Sequence, residues 1–159
     1  MLGCWRRLIL PGLLLVVAAP VAAQQYLFVF HAGVQASVYD PATLELLARP
    51  AVGPGAVRAI GVPDQVTPSS FSKIYVVRRD AVVVLDAQPP FAVRATLALR
   101  APLSLGERSA LLTQDSRRLV LAGGPFLHVF DAVDPTNPGA VTIDFGAEIS
   151  SLVPECCRA

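Results

Sequence analysis

The chain contains a strand-like pattern that recurs at a nearly fixed interval. In each copy, an apolar run is followed shortly afterwards by a second apolar run that ends in aspartate. The three aspartates are Asp40, Asp86 and Asp131, which lie about 46 and 45 residues apart. A period in this range is typical of repeat proteins whose unit is a single four-stranded β-sheet. The spacing therefore predicts an all-β chain built from similar stacked sheets.

The first 23 residues have the features of an export signal. Arg6 and Arg7 form a short basic start, residues 8–17 are mostly apolar, and residues 21–23 supply the small side chains that a signal peptidase recognises. We expect cleavage before Gln24 and export to the periplasm or the extracellular space, with no membrane contact afterwards. The apolar stretch is shorter than the roughly 20 residues of a membrane span. An uncleaved N-terminal anchor and a twin-arginine signal are the alternatives.

The charge of the mature chain argues against nucleic acid as a partner. Removal of residues 1–23 leaves 11 basic and 12 acidic side chains, without a charge run or a basic patch. The remaining cysteines, Cys156 and Cys157, are adjacent, so a disulfide between them would close almost no loop. A redox pair, a soft-metal ligand pair and a link between chains are the functional alternatives to an unselected tail.

Strand signals divide the mature chain into similar units. The units are residues 24–55, 56–100 and 106–147, followed by the start of a fourth unit over 148–154 and a tail over 155–159. The first unit lacks its innermost strand, and the next two have four strands each. The predicted strands are Tyr26–Phe30, Ala36–Tyr39, Leu44–Ala48, Val57–Val62, Ile74–Arg78, Val82–Leu85, Val93–Leu99, Ala110–Leu112, Leu119–Ala122, Leu127–Phe130, Val141–Phe145 and Ile149–Val153.

The recurring aspartates are predicted to be structural. Asp40, Asp86 and Asp131 each stand at a strand end and precede a turn. A carboxylate in that position can accept hydrogen bonds from the backbone N–H groups of its own turn. We therefore interpret them as turn residues rather than as a catalytic or metal-binding carboxylate array.

One segment of the third unit resembles a known family. Residues 111–124 combine a short strand, a polar turn, a basic residue and a second strand, as in the recurring segment of YVTN-type β-propellers. The Val-Leu-Asp and Val-Phe-Asp endings at 84–86 and 129–131 are similar to the strand end of that family. The polar turn at 114–116 and the turn at 88–90 depart from the family pattern. The resemblance implies a partial β-propeller of about three four-stranded antiparallel blades, where the family closes a ring of about seven.

An incomplete ring has consequences for association. Three stacked blades leave two large apolar sheet faces in contact with water, and such faces mark an interface or an aggregation hazard. We expect self-association, or pairing with another blade-bearing protein, and an oligomeric or poorly soluble product. Because the chain stops where a fourth blade begins, we also expect that it is the front part of a longer, interrupted gene.

The sequence predicts no catalytic residue, no cofactor and no metal site. His31 and His128 are not paired at a metal-ligand spacing, and no nucleophile elbow is present. The residues therefore favour a non-catalytic exported repeat protein that acts through binding a protein or a ligand. The alternative is part of a propeller enzyme, a lactonase-like hydrolase or a quinone-dependent dehydrogenase, whose site would use charged residues near strand ends. Those residues are Arg58, Arg78, Arg79, Asp80, Glu107 and Arg108.

Overall fold

The structure, a computed structural model, describes residues 25–31, 35–64, 71–103, 109–134, 141–149 and 152. Within these residues the protein forms eleven β-strands in three antiparallel sheets. No α-helix is present in this part of the chain. Accordingly, none of these residues belongs to a helix long and apolar enough to cross a membrane. The prediction of an all-β fold is confirmed.

Each sheet is formed by strands that are consecutive along the chain. The first sheet has the order β1-β2-β3, the second β4-β5-β6-β7, and the third β11-β10-β9-β8. The strands are β1 (Leu27–Phe30), β2 (Ala36–Tyr39), β3 (Leu46–Ala48), β4 (Ala56–Pro63), β5 (Phe71–Arg78), β6 (Ala81–Asp86), β7 (Val93–Ala98), β8 (Ala110–Leu112), β9 (Arg118–Gly123), β10 (Phe126–Asp131) and β11 (Val141–Asp144).

Most strand ends fall close to the predicted ones. The largest shift is at β5, which begins at Phe71 rather than at Ile74. Two-residue connections, Arg79–Asp80 and Gly124–Pro125, close the hairpins β5-β6 and β9-β10. Most of the predicted strand Ile149–Val153 lies outside the described residues, as do the N-terminal segment, Glu107, Arg108 and the cysteine pair.

The second sheet lies between the other two. Successive side chains of a strand point to opposite faces of its sheet. In β5 and β6 both sets are buried, including Tyr75, Val76, Val83 and Val84. A strand that is buried on both faces reads as a continuous apolar run rather than as an alternating one, and the sequence Ala81–Leu85 has this character.

Two separate hydrophobic cores result. Between the second and third sheets, Tyr75, Val77, Val82 and Val84 belong to one buried cluster with residues of the third sheet, among them Leu119, Leu121 and Phe130. Between the first and second sheets, the other cluster contains Ala36, Ile74, Val76, Val83 and Leu85, with Phe28 and Phe30 packed against it. The ring of Phe91 extends this core, because its centroid lies 5.9 Å from that of Phe28 in an edge-on contact.

The two cores repeat one mode of packing. We call the front face of a sheet the one that carries the residue two positions before the repeat aspartate, namely Val38, Val84 or Val129. The back face carries the residue directly before that aspartate, namely Tyr39, Leu85 or Phe130. The front of the first sheet packs against the back of the second, and the front of the second packs against the back of the third. The stack therefore ends in the back of the first sheet and the front of the third.

Candidate functional site

The front of the third sheet is a continuous aliphatic surface. Register places Val129 opposite both Val120 and Val141, and Leu127 opposite Ile143, so these five side chains share one face. Val141 and Ile143 are 53 % and 41 % exposed, and the other three are half-buried. None of the five belongs to either core cluster. A sheet face of this composition is suited to burial against another protein surface.

The back of the first sheet is the second open apolar surface. Leu27 and Val29 of β1 share this face with Tyr39 and Leu46 of the neighbouring strands. Leu27 is 43 % exposed, and Val29 and Leu46 are exposed as well. Ser37, also on this face, is buried, and its Oγ lies 2.9 Å from Nε2 of His31. The four side chains around this polar pair, Leu27, Val29, Tyr39 and Leu46, are aliphatic or aromatic.

The recurring aspartates are not equivalent in their contacts. Oδ1 of Asp40 accepts hydrogen bonds from the backbone N–H groups of Ala42 and Thr43, at 2.8 and 3.1 Å. Oδ1 of Asp131 accepts the same two bonds from Val133 and Asp134, at 2.8 and 3.2 Å. Two of the three carboxylates therefore hold the turn that follows them.

Asp86 has a different partner. Its Oδ2 accepts a hydrogen bond from Nε of Arg94 at 2.7 Å, across the hairpin that joins β6 to β7. Asp144, which the repeat pattern did not single out, binds its own turn, with Oδ1 2.8 Å from the backbone nitrogen of Gly146. Its position at the end of β11, before a glycine, was the available signal.

His128 is buried in the core between the second and third sheets. It lies on the back face of β10 between Phe126 and Phe130, whose ring centroids are 6.4 and 6.3 Å away, and is 3 % exposed. Nδ1 lies 3.2 Å from Oγ1 of Thr142, whereas Nε2 has no hydrogen-bond partner within the described part of the chain. Burial, with the nearby positive charge of Arg100, lowers the pKa of His128. Alternation along the strand places His128 on the face opposite Leu127 and Val129, but only the structure shows that the second sheet covers that face.

The charged residues considered for an enzyme site are engaged separately. Nη1 of Arg58 donates a hydrogen bond to the carbonyl of Ala110 at 2.8 Å and so links β4 to β8. Arg78 pairs with Asp80 at 3.1 Å across its own tight turn, and its guanidinium lies against Gly53. These contacts are structural. Among the described candidates, Arg58 lies opposite Val77 on one face of the second sheet, whereas Arg78, the next residue along β5, points to the other face.

A surface depression of about 420 Å³ lies at the β8-β9 turn. It is open to solvent and is lined by Thr113, Gln114, Asp115 and Arg118. Asp115 is already occupied there, because its Oδ1 accepts hydrogen bonds from Oγ1 of Thr113 at 2.6 Å and from the backbone nitrogen of Arg117 at 3.1 Å. These hydrogen bonds lower the pKa of the Asp115 carboxyl group, and the bond from Thr113 has the larger effect. Among the described residues, no group of three or more His, Cys, Asp or Glu side chains could hold a metal ion.

Comparison of the chain with protein-family models, with curated proteins and with solved structures found no match. The arrangement of its own surfaces is therefore the basis for a functional hypothesis.

Proposed function

We propose that the chain is an exported, non-catalytic repeat protein of the β-propeller type, with about three blades, which acts by binding protein through its open sheet faces. The observation that carries this proposal is the repeated packing of a front face on a back face, which leaves one apolar surface of each kind at the ends of the stack.

Sheets that stack face to face with short connections are the construction principle of a propeller. The period of the repeat aspartates agrees with the length of one blade. The side chains of Leu127, Val129 and Ile143 favour contact with a protein surface over contact with a polar small molecule, because none of the three offers a hydrogen-bonding group.

The test begins with the protein produced with its N-terminal segment in a secretion-competent host. The exported product should begin at Gln24. It is immobilised and exposed to the exported proteins of its source, and captured proteins, including further copies of itself, are identified by mass spectrometry. Two variants, Val129→Lys on the third sheet and Val29→Glu on the first, place a charge on each open face. Leu44→Lys is the matched control, because Leu44 is an exposed leucine that precedes β3 and belongs to none of the strands that form the open faces.

A partner that is captured by the wild type and by Leu44→Lys, and is lost from Val129→Lys or Val29→Glu, supports the proposal. Capture that neither face variant changes contradicts it. A stoichiometric metal ion or quinone in the purified protein would contradict the non-catalytic assignment and favour the enzyme alternative.

A further inference from the structure

We infer that the partner is a second copy of the same chain, and that two copies close head to tail into a ring of six sheets. The front of the third sheet of each copy lies against the back of the first sheet of the other. This inference rests on the proposed function and names the partner that the open faces bind.

The interfaces inside the chain provide the template. In the core between the second and third sheets, Val84 on a front face and Leu121 on a back face belong to one buried cluster. Val129 occupies the position of Val84 in the third sheet, two residues before the repeat aspartate. In the first sheet, Val29 is the equivalent of Leu121. Val29 pairs with Ser37 as Leu121 pairs with His128, and Ser37 and His128 each stand three residues before the repeat aspartate of their own sheet.

Within the chain, the front-face position of Val84 therefore already packs near the back-face position of Leu121. The equivalent front-face position that lies outside both cores is Val129, and the equivalent back-face position outside both cores is Val29. A second copy is a partner that is certain to present the complementary face. The contact expected between copies is Val129 of one chain with Val29 of the other.

Area favours a closed pair over a single contact. With strands about 4.8 Å apart and about 3.3 Å per residue, the four-stranded face of the third sheet covers roughly 300 Å² and the three-stranded face of the first sheet roughly 170 Å². A stable interface usually buries about 800 Å² on each partner. One face alone falls well short of that value, whereas a closed pair buries both open faces of each chain, roughly 470 Å², and comes nearer to it.

Ring geometry and symmetry agree with closure at two copies. Propellers close with 4–8 blades, and two copies of three sheets give six. The two contacts are then related by a two-fold axis, so both are satisfied together and no apolar face remains at an end. An arrangement that did not close would instead continue as a filament.

The test is the molar mass of the mature protein, measured by size-exclusion chromatography with light scattering. We expect a dimer of the wild type and of Leu44→Lys. Val129→Lys and Val29→Glu should each weaken dimerisation at least tenfold, because each places a charge in both contacts of the ring. An equimolar mixture of the two variants should recover a dimer, since a mixed pair has one unaltered contact and one contact between lysine and glutamate.

Circular dichroism shows whether each variant folds. If a charged variant does not fold, Val129→Thr, which changes polarity with little change in volume, should give a smaller but measurable weakening. A monomeric wild type, a filament, or a dimer that none of these variants weakens overturns the inference. Loss of a different captured protein from the same variants, with the wild type monomeric, would leave the proposed function standing while excluding the ring.

Discussion

Tyr75 and Val76 are neighbours in β5, yet they belong to different hydrophobic cores. Tyr75 lies in the core shared with the third sheet, and Val76 in the core shared with the first. Both side chains are fully buried. Both cores therefore depend on the same two central strands, β5 and β6. Disruption of one core removes packing from strands that also form part of the other core.

Truncation in either core should destabilise the whole stack. We expect Leu85→Ala, in the core with the first sheet, and Leu121→Ala, in the core with the third, each to lower the free energy of unfolding by about 2–5 kcal/mol, because each leaves a cavity beside the shared sheet. Leu44→Ala, at an exposed position, should change it by less than about 0.5 kcal/mol. Urea unfolding followed by circular dichroism measures all three.

Two separate unfolding transitions, with each variant lowering the midpoint of only one of them, would contradict this prediction. Such behaviour would mean that the first and third sheets unfold independently of each other.

Removal of a turn aspartate should have a moderate cost. Asp40 accepts two backbone hydrogen bonds with one oxygen, so Asp40→Ala should lower the free energy of unfolding by about 1–2 kcal/mol. Asp40→Asn keeps an acceptor oxygen and should recover most of the loss. Arg94→Ala should have little measurable effect, because its ion pair with Asp86 is largely exposed on the arginine side. Thermal unfolding of the three variants under one buffer condition provides the comparison, and an equal loss for Asp40→Ala and Arg94→Ala would refute the distinction.

A structural feature could be predicted from the sequence when the interactions that determine it are local along the chain. Strands such as β6 are encoded locally, since a run of valine and leucine between turn residues is sufficient to predict them. The environment of Asp86 is different, because its partner Arg94 lies on the next strand and depends on the register of the hairpin. His128 shows the same limit, since its burial depends on how the second and third sheets meet. Period and alternation predicted the sheets, but the contacts between them required the structure.

Tyr75 should remain protonated in the folded protein at alkaline pH. Burial, with the negative charges of Asp131 and Asp134 nearby, raises the pKa of Tyr75 to about 12. An unfolded chain loses this proton near pH 10. The free energy of unfolding should therefore decrease as the pH rises from about 10 to about 12, because only the unfolded state releases the proton in that window.

Phenolate absorbance, compared between the wild type and Tyr75→Phe, isolates this residue. The difference should show no ionisation of Tyr75 at pH 10 while the protein remains folded. Tyr75→Phe should itself cost no more than about 1 kcal/mol, because the hydroxyl makes only a long contact, 3.4 Å, with the carbonyl of Asp131. Ionisation of Tyr75 at pH 10 in the folded protein would show that its hydroxyl is open to water.

His128 should make the stack sensitive to mild acid. Its folded-state pKa is lowered by burial and by Arg100, whereas the unfolded chain takes up the proton near pH 6.5. As the pH falls below about 6.5, the free energy of unfolding should decrease by at most about 1.4 kcal/mol per pH unit, until the folded state also binds the proton. His128→Phe keeps an aromatic ring between Phe126 and Phe130 and should remove this part of the acid sensitivity. His31→Phe leaves His128 in place and should retain the acid sensitivity. Urea titrations at a series of pH values measure the free energy of unfolding of each variant. If its dependence on pH is unchanged in His128→Phe, the acid sensitivity belongs to other groups.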